Sequence, residues 1–301
     1  MVVFIAVISG SGAHAQSAPP LVDPAWLIGQ LQDPQLVVFD LRRKAAYDSG
    51  HLIGAINVDL TKVAFRQRTS DGEPQLLDTE EFAARLGAFG VRAQDKIVLM
   101  SAGESWLDVA GATELFWLLK SVGHTQVAIL NGGFRRLAET AGVRLDSQSN
   151  VRLKTVYTPG TPLVRGYQSA DLIDLPPSVL RVDARLRAQF LGINKVAGVA
   201  RYGTIPGAKN LPGNWVTYDA AGQLRTADDL RRVLDLAGIP QHGQMVVFGN
   251  TAAAGSLVWF ALRVILGNRE VRLFDRGFGE WAADPARPVV LHLGSTETQR
   301  P

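Results

Sequence analysis

The chain has 301 residues, 47% of them apolar and 20% charged, with 31 Lys and Arg against 28 Asp and Glu. That length allows two ordinary domains or one large one, and the composition suits a soluble globular protein with a sizeable core. The near-balance of charge, without basic runs interleaved with aromatics, points away from nucleic acid; the absence of cysteine excludes disulfides, Cys-ligated zinc, iron–sulfur clusters and every thiolate mechanism.

The first twenty residues, MVVFIAVISGSGAHAQSAPP, hold an apolar run from Val2 to Ile8 and then Ala13-His14-Ala15 before a polar, Pro-containing stretch. An Ala-x-Ala in that setting is a signal-peptidase site, and without a positive n-region the leader at 1–15 reads as truncated. Export to the periplasm or beyond is the expectation; the alternative is an apolar extension on a cytoplasmic protein. No later segment approaches the roughly 20 uninterrupted apolar residues that span a bilayer, so no membrane association is expected.

From residue 21 strands and helices alternate. DPAWLIGQLQ (23–32) reads as a helix, and VVFD (37–40) as a strand ending at Asp40. DTEEFAARLGAFG (78–90) reads as an amphipathic helix with a cap and acids in its first turn, and TADDLRRVLDLAG (226–238) reads the same way. A third strand ends at Met100, a long helix follows, and a last strand ends at Gly132-Gly133 before Phe134. Residues 142–161, polar with Pro159 and Gly160, read as a linker. The order then recurs. VVFDLRRKAAYDSGHLIGAINV (37–58) is echoed by LRVDARLRAQF and YGTIPGAKNL (180–211), with Asp40/Arg42 matched by Asp183/Arg185. KIVLMSAGES (96–105) is echoed by QMVVFGNTAAAGS (244–256), and VGHTQVAILNGGFRRL (122–137) by LGNREVRLFDRGFGEW (266–281). Three blocks in one order, offset by about 143 to 148 residues, indicate a duplication with units at 21–141 and 162–290. Strands alternating with helices make each unit an α/β domain, a mostly parallel sheet flanked by helices.

Ligands of open α/β sheets bind beyond the carboxyl ends of the strands. The third strand of the second unit ends at Phe248 and runs into Gly249, Asn250, Thr251, Ala252, Ala253, Ala254 and Gly255 before the apolar helix LVWFALRVILG. In this small-residue turn successive N–H groups and a helix dipole can hold an anion without a charged side chain. Read locally, it is also an ordinary strand-to-helix turn.

The repeated blocks resemble the rhodanese family of sulfurtransferases, in its tandem two-domain thiosulfate and 3-mercaptopyruvate type. DLRRKAAYDSGHLIGAINV is similar to the family's Asp-x-Arg…Gly-His-Ile-Pro-Gly-Ala-x-Asn signature; DAR…GTIPGAKNLP repeats it with Thr204 in place of His; VRLFDRGFGEW is similar to its closing Leu-Tyr-Asp-Gly-x-x-x-Glu-Trp. The resemblance covers about 21–285 and implies two tandem rhodanese-like domains, a small sulfur-containing anion or thiol acceptor as partner, no cofactor, and a monomer. It also makes 249–255 the family's Cys-x-x-Gly-x-x-Ala loop, with Gly249 at the nucleophilic cysteine, Ala252 at the usual Gly and Gly255 at the usual Ala. The family's persulfide chemistry needs a thiolate there, so the resemblance implies a homologue that has lost sulfur transfer, or a non-catalytic anion- or protein-binding pseudo-enzyme. Arg185, Arg187 and Gln189 are the possible substrate contacts, Gln189 standing where thiosulfate-type members carry Arg.

A hydrolase using Thr251 or Ser256 is the weakest reading, because no adjacent base is visible; Ser101 and Ser105 in the first unit lack one too. His14, His51, His124, His242 and His292 have no metal-ligand spacing, so no metal is expected. The loop is expected at the face between the units. Trp106, Trp117, Trp215 and Trp259 could line that cleft, while helical spacing assigns Trp117 and Trp259 to the core.

Overall fold

The computed structural model describes residues 18–63, 65–68, 74–218 and 222–293; the leader-like segment at 1–15 lies outside the described residues. The first repeat builds a sheet from β1 (Leu21–Val22), β2 (Leu36–Asp40), β3 (Ile56–Asn57), β4 (Lys96–Met100) and β5 (Val127–Leu130), in the spatial order β1-β5-β4-β2-β3. The second uses β6 (Leu180–Asp183), β7 (Ala208–Asn210), β8 (Met245–Phe248) and β9 (Val271–Leu273) in the order β9-β8-β6-β7. A single parallel bridge from Tyr167 to Phe274 stands where β1 lies in the first. All pairings within both sheets are parallel. The two orders coincide, so the sequence repeat is also a repeat of topology.

Side chains alternate across each sheet as a pleated strand requires. Val37 and Phe39 face one core cluster and Val38 another; Ile97 and Leu99 oppose Val98 and Met100; Met245 and Val247 oppose Val246 and Phe248. The face carrying Val37, Ile97 and Val247 packs on α3 (Thr79–Ala88), α4 (Trp106–Ser121), α8 (Ala227–Ala237) and α9 (Ala252–Trp259), forming one core through both repeats. The opposite faces are covered separately, by α1 (Pro24–Gln30) and α5 (Gly133–Ala138) in the first repeat and by α6 (Ser169–Ile173) and α10 (Gly277–Ala283) in the second. The short α2 (Lys44–Asp48) and α7 (Arg187–Phe190) follow β2 and β6. As their sequences predict, α3 and α8 start at Asp78 and Thr226, whose side chains accept from the N–H groups of Glu81 and Asp229.

The repeats meet where α4 lies beside α9, running in the same direction. Thr113 Oγ1 is 3.1 Å from Ser256 Oγ, and Phe116 packs on Trp259 and Phe260 further along. Two hairpins cross the boundary in opposite senses. From Arg66–Arg68/Pro74–Leu76, Arg66 reaches Asp275 at 3.2 Å; from Thr217–Tyr218/Gln223–Leu224, the Leu224 N–H donates to Asn131 Oδ1 at 2.9 Å. Asn131 and Asp275 occupy matching places, each just past the last strand of its own sheet. Residues 142–161 run along the first repeat: Thr155 donates its N–H to Gly87 O and its hydroxyl to Val91 O, Arg152 pairs with Asp95, and Tyr157 is buried.

Candidate functional site

β8 is an inner strand flanked by β6 and β9, so residue 249 sits at the carboxyl edge of the second sheet. The turn is shorter than its small residues suggested. Gly249, Asn250 and Thr251 form it, and Ala252, Ala253, Ala254 and Gly255 are already the first turn of α9. Alanine is the strongest helix former, so this run extends the helix backwards from the apolar segment. Gly249 is buried, Asn250 half-buried and Thr251 exposed.

The loop carbonyls are spoken for. Gly249 O accepts from Phe278 N–H at 2.7 Å and Asn250 O from Gly279 N–H at 3.0 Å, so the loop caps the start of α10. Only glycine fits at 277, whose φ is +69° and where a Cβ would lie 2.6 Å from Gly249 O. Asn250 Nδ2 donates to Gln189 Oε1 at 2.8 Å, which brings two of the expected site residues together. A Cβ at position 249 would lie 2.8 Å from Thr251 O, 2.9 Å from Gly255 N and 3.0 Å from Ala254 Cβ. The loop backbone has closed over the place where a nucleophile's side chain would start.

The N–H groups at the start of α9 face no acid of that helix's first turn, and Thr251 makes no cap bond. The first repeat treats its matching loop differently. Ser105 caps α4, and the Asp108 carboxylate accepts from the N–H groups of Glu104 and Ser105 at 3.1 and 2.9 Å. There an internal carboxylate takes the position an anion would hold. Beside it a pocket of about 860 Å³ is lined by Ser101, Leu107, Asp108 and Phe134, and the buried Ser101 hydroxyl has no hydrogen-bond partner.

Arg185 is not placed to meet a substrate. It is 3% exposed, doubly bonded to Asp183, bonded to Gly203 O at 2.7 Å, and stacked 3.8 Å over the Phe278 ring. Arg42 does the same in the first repeat, bonding Asp40 and Gly50 O and lying 3.3 Å over Phe134. The repeated Asp-x-Arg is therefore a brace tying a strand end to a glycine turn and the last helix. Thr204 joins it by donating to Asp183 at 2.6 Å. Arg187 is exposed at the start of α7, with no ion pair among the described residues.

Ser256 is fully buried and bonded to Thr113 and Ala253 O, which removes it as a nucleophile. Trp117 and Trp259 are core, whereas Trp106 packs against Gly213 of the other repeat. His51 lies stacked on Tyr47, between the carbonyls of Tyr47 and Gln148. His124 is buried between Tyr157 and Gln126 O, and burial pushes its pKa down to about 4. Among the described residues no group of three His, Cys, Asp or Glu could hold a metal, and no helix is long and apolar enough to cross a membrane.

Comparison with known proteins agrees with this geometry. The Rhodanese-like domain model matches residues 23–140 and again 169–284. A thiosulfate sulfurtransferase from Corynebacterium glutamicum is 28% identical over 285 residues, covering 89% of each chain. The sulfur carrier protein TtuD from Thermus thermophilus is 27% identical over 286 residues, covering 90% of this chain and 96% of its own. The structure of SseA from Escherichia coli, a 3-mercaptopyruvate sulfotransferase, aligns with a TM-score of 0.71 at 24% identity, over 86% of this chain and 98% of that one, a likeness of fold. Apart from β1 at the edge of the first sheet, each matched segment takes in one parallel sheet and its helices, and the chain belongs to the rhodanese-like domain family, carrying two copies in tandem.

Proposed function

We propose that this sulfurtransferase homologue no longer transfers sulfur through a persulfide and keeps its Gly249 loop as a non-catalytic site for a small sulfur-containing anion. One observation carries the loss: the chain has no cysteine, and Gly249 stands where the resemblance places the nucleophile. A persulfide carrier attacks the outer sulfur of its donor with a thiolate, expels the rest of the donor, and is in turn attacked by a thiol or cyanide. Glycine supplies no atom for the first step, and no other thiol exists to replace it. The names of the relatives, thiosulfate sulfurtransferase and sulfur carrier, set the ligand class. The N–H groups opening α9, with no acid of their own turn, are the feature that would hold it. Export as a monomer is part of the same proposal.

The decisive assay is thiocyanate formation from thiosulfate and cyanide. Wild type is expected to show no rate above a protein-free blank, and measurable turnover would overturn the loss. Gly249→Cys alone is expected to stay inactive, because its Cβ meets loop backbone on two sides. Thiosulfate or sulfite at about ten times its Kd should stabilise the fold by roughly 1.4 kcal/mol. No thermal shift at tens of millimolar would remove the anion-binding half of the proposal.

A further inference from the structure

At the opposite end of the second sheet lies a pocket of about 310 Å³ whose only charged lining residues are Arg165, Arg263, Arg269 and Arg272. The strands are parallel, and Val271, at the amino end of β9, is in the pocket wall, while the Gly249 loop leaves the carboxyl end of β8. The two places are therefore separate. Pro162, Leu163, Val164, Trp259 and Val271 supply an apolar floor.

The four guanidinium groups come from three parts of the chain. Arg165 follows the connecting segment, Arg263 sits in the π-helical turn Phe260–Ile265 that continues α9, and Arg269 and Arg272 flank the start of β9. Among the described residues none of them has a carboxylate within ion-pair distance, although arginines elsewhere in the molecule are commonly paired. Glu270, the nearest acid in sequence, does not line the pocket. A chain of net charge +3 has no general excess of base to account for such a gathering.

Arg263 is held in place by donating to the carbonyls of Arg269 and Val271. Arg272 lies 5.1 Å over the Tyr167 ring, and the side chains of Arg165, Arg269 and Arg272 are exposed. Burial, then the neighbouring charges of Arg272 and Arg269, pull the pKa of Arg263 down. Like charges converging without a counter-charge are the arrangement a multivalent anion relieves. A single small anion could answer only part of this charge, whereas a chain of linked phosphoryl groups presents acceptors to more than one guanidinium at once.

We propose that this four-arginine pocket is a second binding site, taking a small molecule that carries two or more linked phosphoryl groups. The shared chemistry belongs to inorganic polyphosphates and to nucleoside di- and triphosphates alike. The test is calorimetric titration of the full chain with inorganic tripolyphosphate, orthophosphate and ATP, beside the exposed double variant Arg269→Gln/Arg272→Gln. Tripolyphosphate is expected to bind one to one, with the double variant weaker by on the order of tenfold per guanidinium removed. Tighter ATP binding would assign the base to the apolar floor, and equal or weaker ATP binding would favour the inorganic source; both support the site. Absence of tripolyphosphate binding at millimolar concentration and low salt would overturn it. So would unchanged affinity in the double variant, or orthophosphate binding as tightly as tripolyphosphate. Gln at 269 and 272 removes one contact with the fold, Arg272 over Tyr167, so circular dichroism of the variant should match wild type and its melting temperature should fall only slightly; a variant that fails to fold is replaced by Arg165→Gln with the same readout.

Discussion

At position 249 the missing side chain and the closed space around it go together. A thiol-bearing residue would need Thr251 O, Gly255 N and Ala254 Cβ to move, and two of those are backbone atoms. Gly249→Cys is therefore expected to destabilise the fold by about 1–3 kcal/mol in urea denaturation as well as remaining inactive. His124 carries a different prediction. Nε2–H donates to Gln126 O, which leaves Nδ1 of the neutral ring to accept from the Tyr157 hydroxyl, and burial disfavours the charged ring. Its folded pKa of about 4 lies below the ordinary 6.5, so between those values the unfolded chain binds more protons. Stability from this group is complete above about pH 6.5 and falls as pH drops towards 4, by roughly 3 kcal/mol at most. Denaturation midpoints at pH 7 and pH 4.5 measure the slope, and NMR titration of the His124 ring assigns it. Residue identity made the absence of any thiol legible in the sequence, but not the role of Arg185. An Arg two positions after a strand-end Asp can face a ligand or fold back onto that Asp, and only the position of Phe278, 93 residues away, decides between them.

Helix starts were the most legible elements, because a cap is a local bond between residues close in sequence. Asp78 and Thr226 do what their neighbours implied, and Thr226→Ala is expected to lower stability by about 1 kcal/mol. Thr251→Ala is the useful contrast: this residue opens α9 but makes no cap bond, so its removal should cost only a few tenths of a kcal/mol. Equal losses in the two variants would show that Thr251 holds a bond the structure does not give it. The start of α9 was harder to read. Its Ala-rich first turn lacks apolar periodicity and contains a Gly, which makes it look like loop, yet alanine's propensity and packing against α4 keep it helical. The four-arginine pocket left almost no trace in the sequence, since Arg165 stands about a hundred residues before the others and exposed arginines are ordinary.

For the molecule as a whole, the duplication was visible in three ordered blocks, but the way the copies hold each other was not. A crossing hairpin has no sequence signature; each is marked by a hydrogen bond to one side chain just past the other repeat's last strand. Arg66 bonds both Glu114 and Asp275, the latter 3% exposed, so Arg66→Ala strands a buried carboxylate at the boundary. A loss of roughly 3 kcal/mol in urea denaturation is expected, with Arg66→Lys recovering part of it. If the alanine variant matches wild type, the hairpin contact does not stabilise the boundary. The two crossings have one more consequence, for molecules in company. Faces so complementary would fit a neighbouring chain's repeat as well as their own, so every copy carries both halves of a possible exchange. The stretch around Arg152 to Tyr157, anchored along the first repeat, shortens the tether to the second and so favours pairing within one chain, at an effective concentration on the order of millimolar. Loosening that anchor would leave the contacts intact and change only whose partner they belong to.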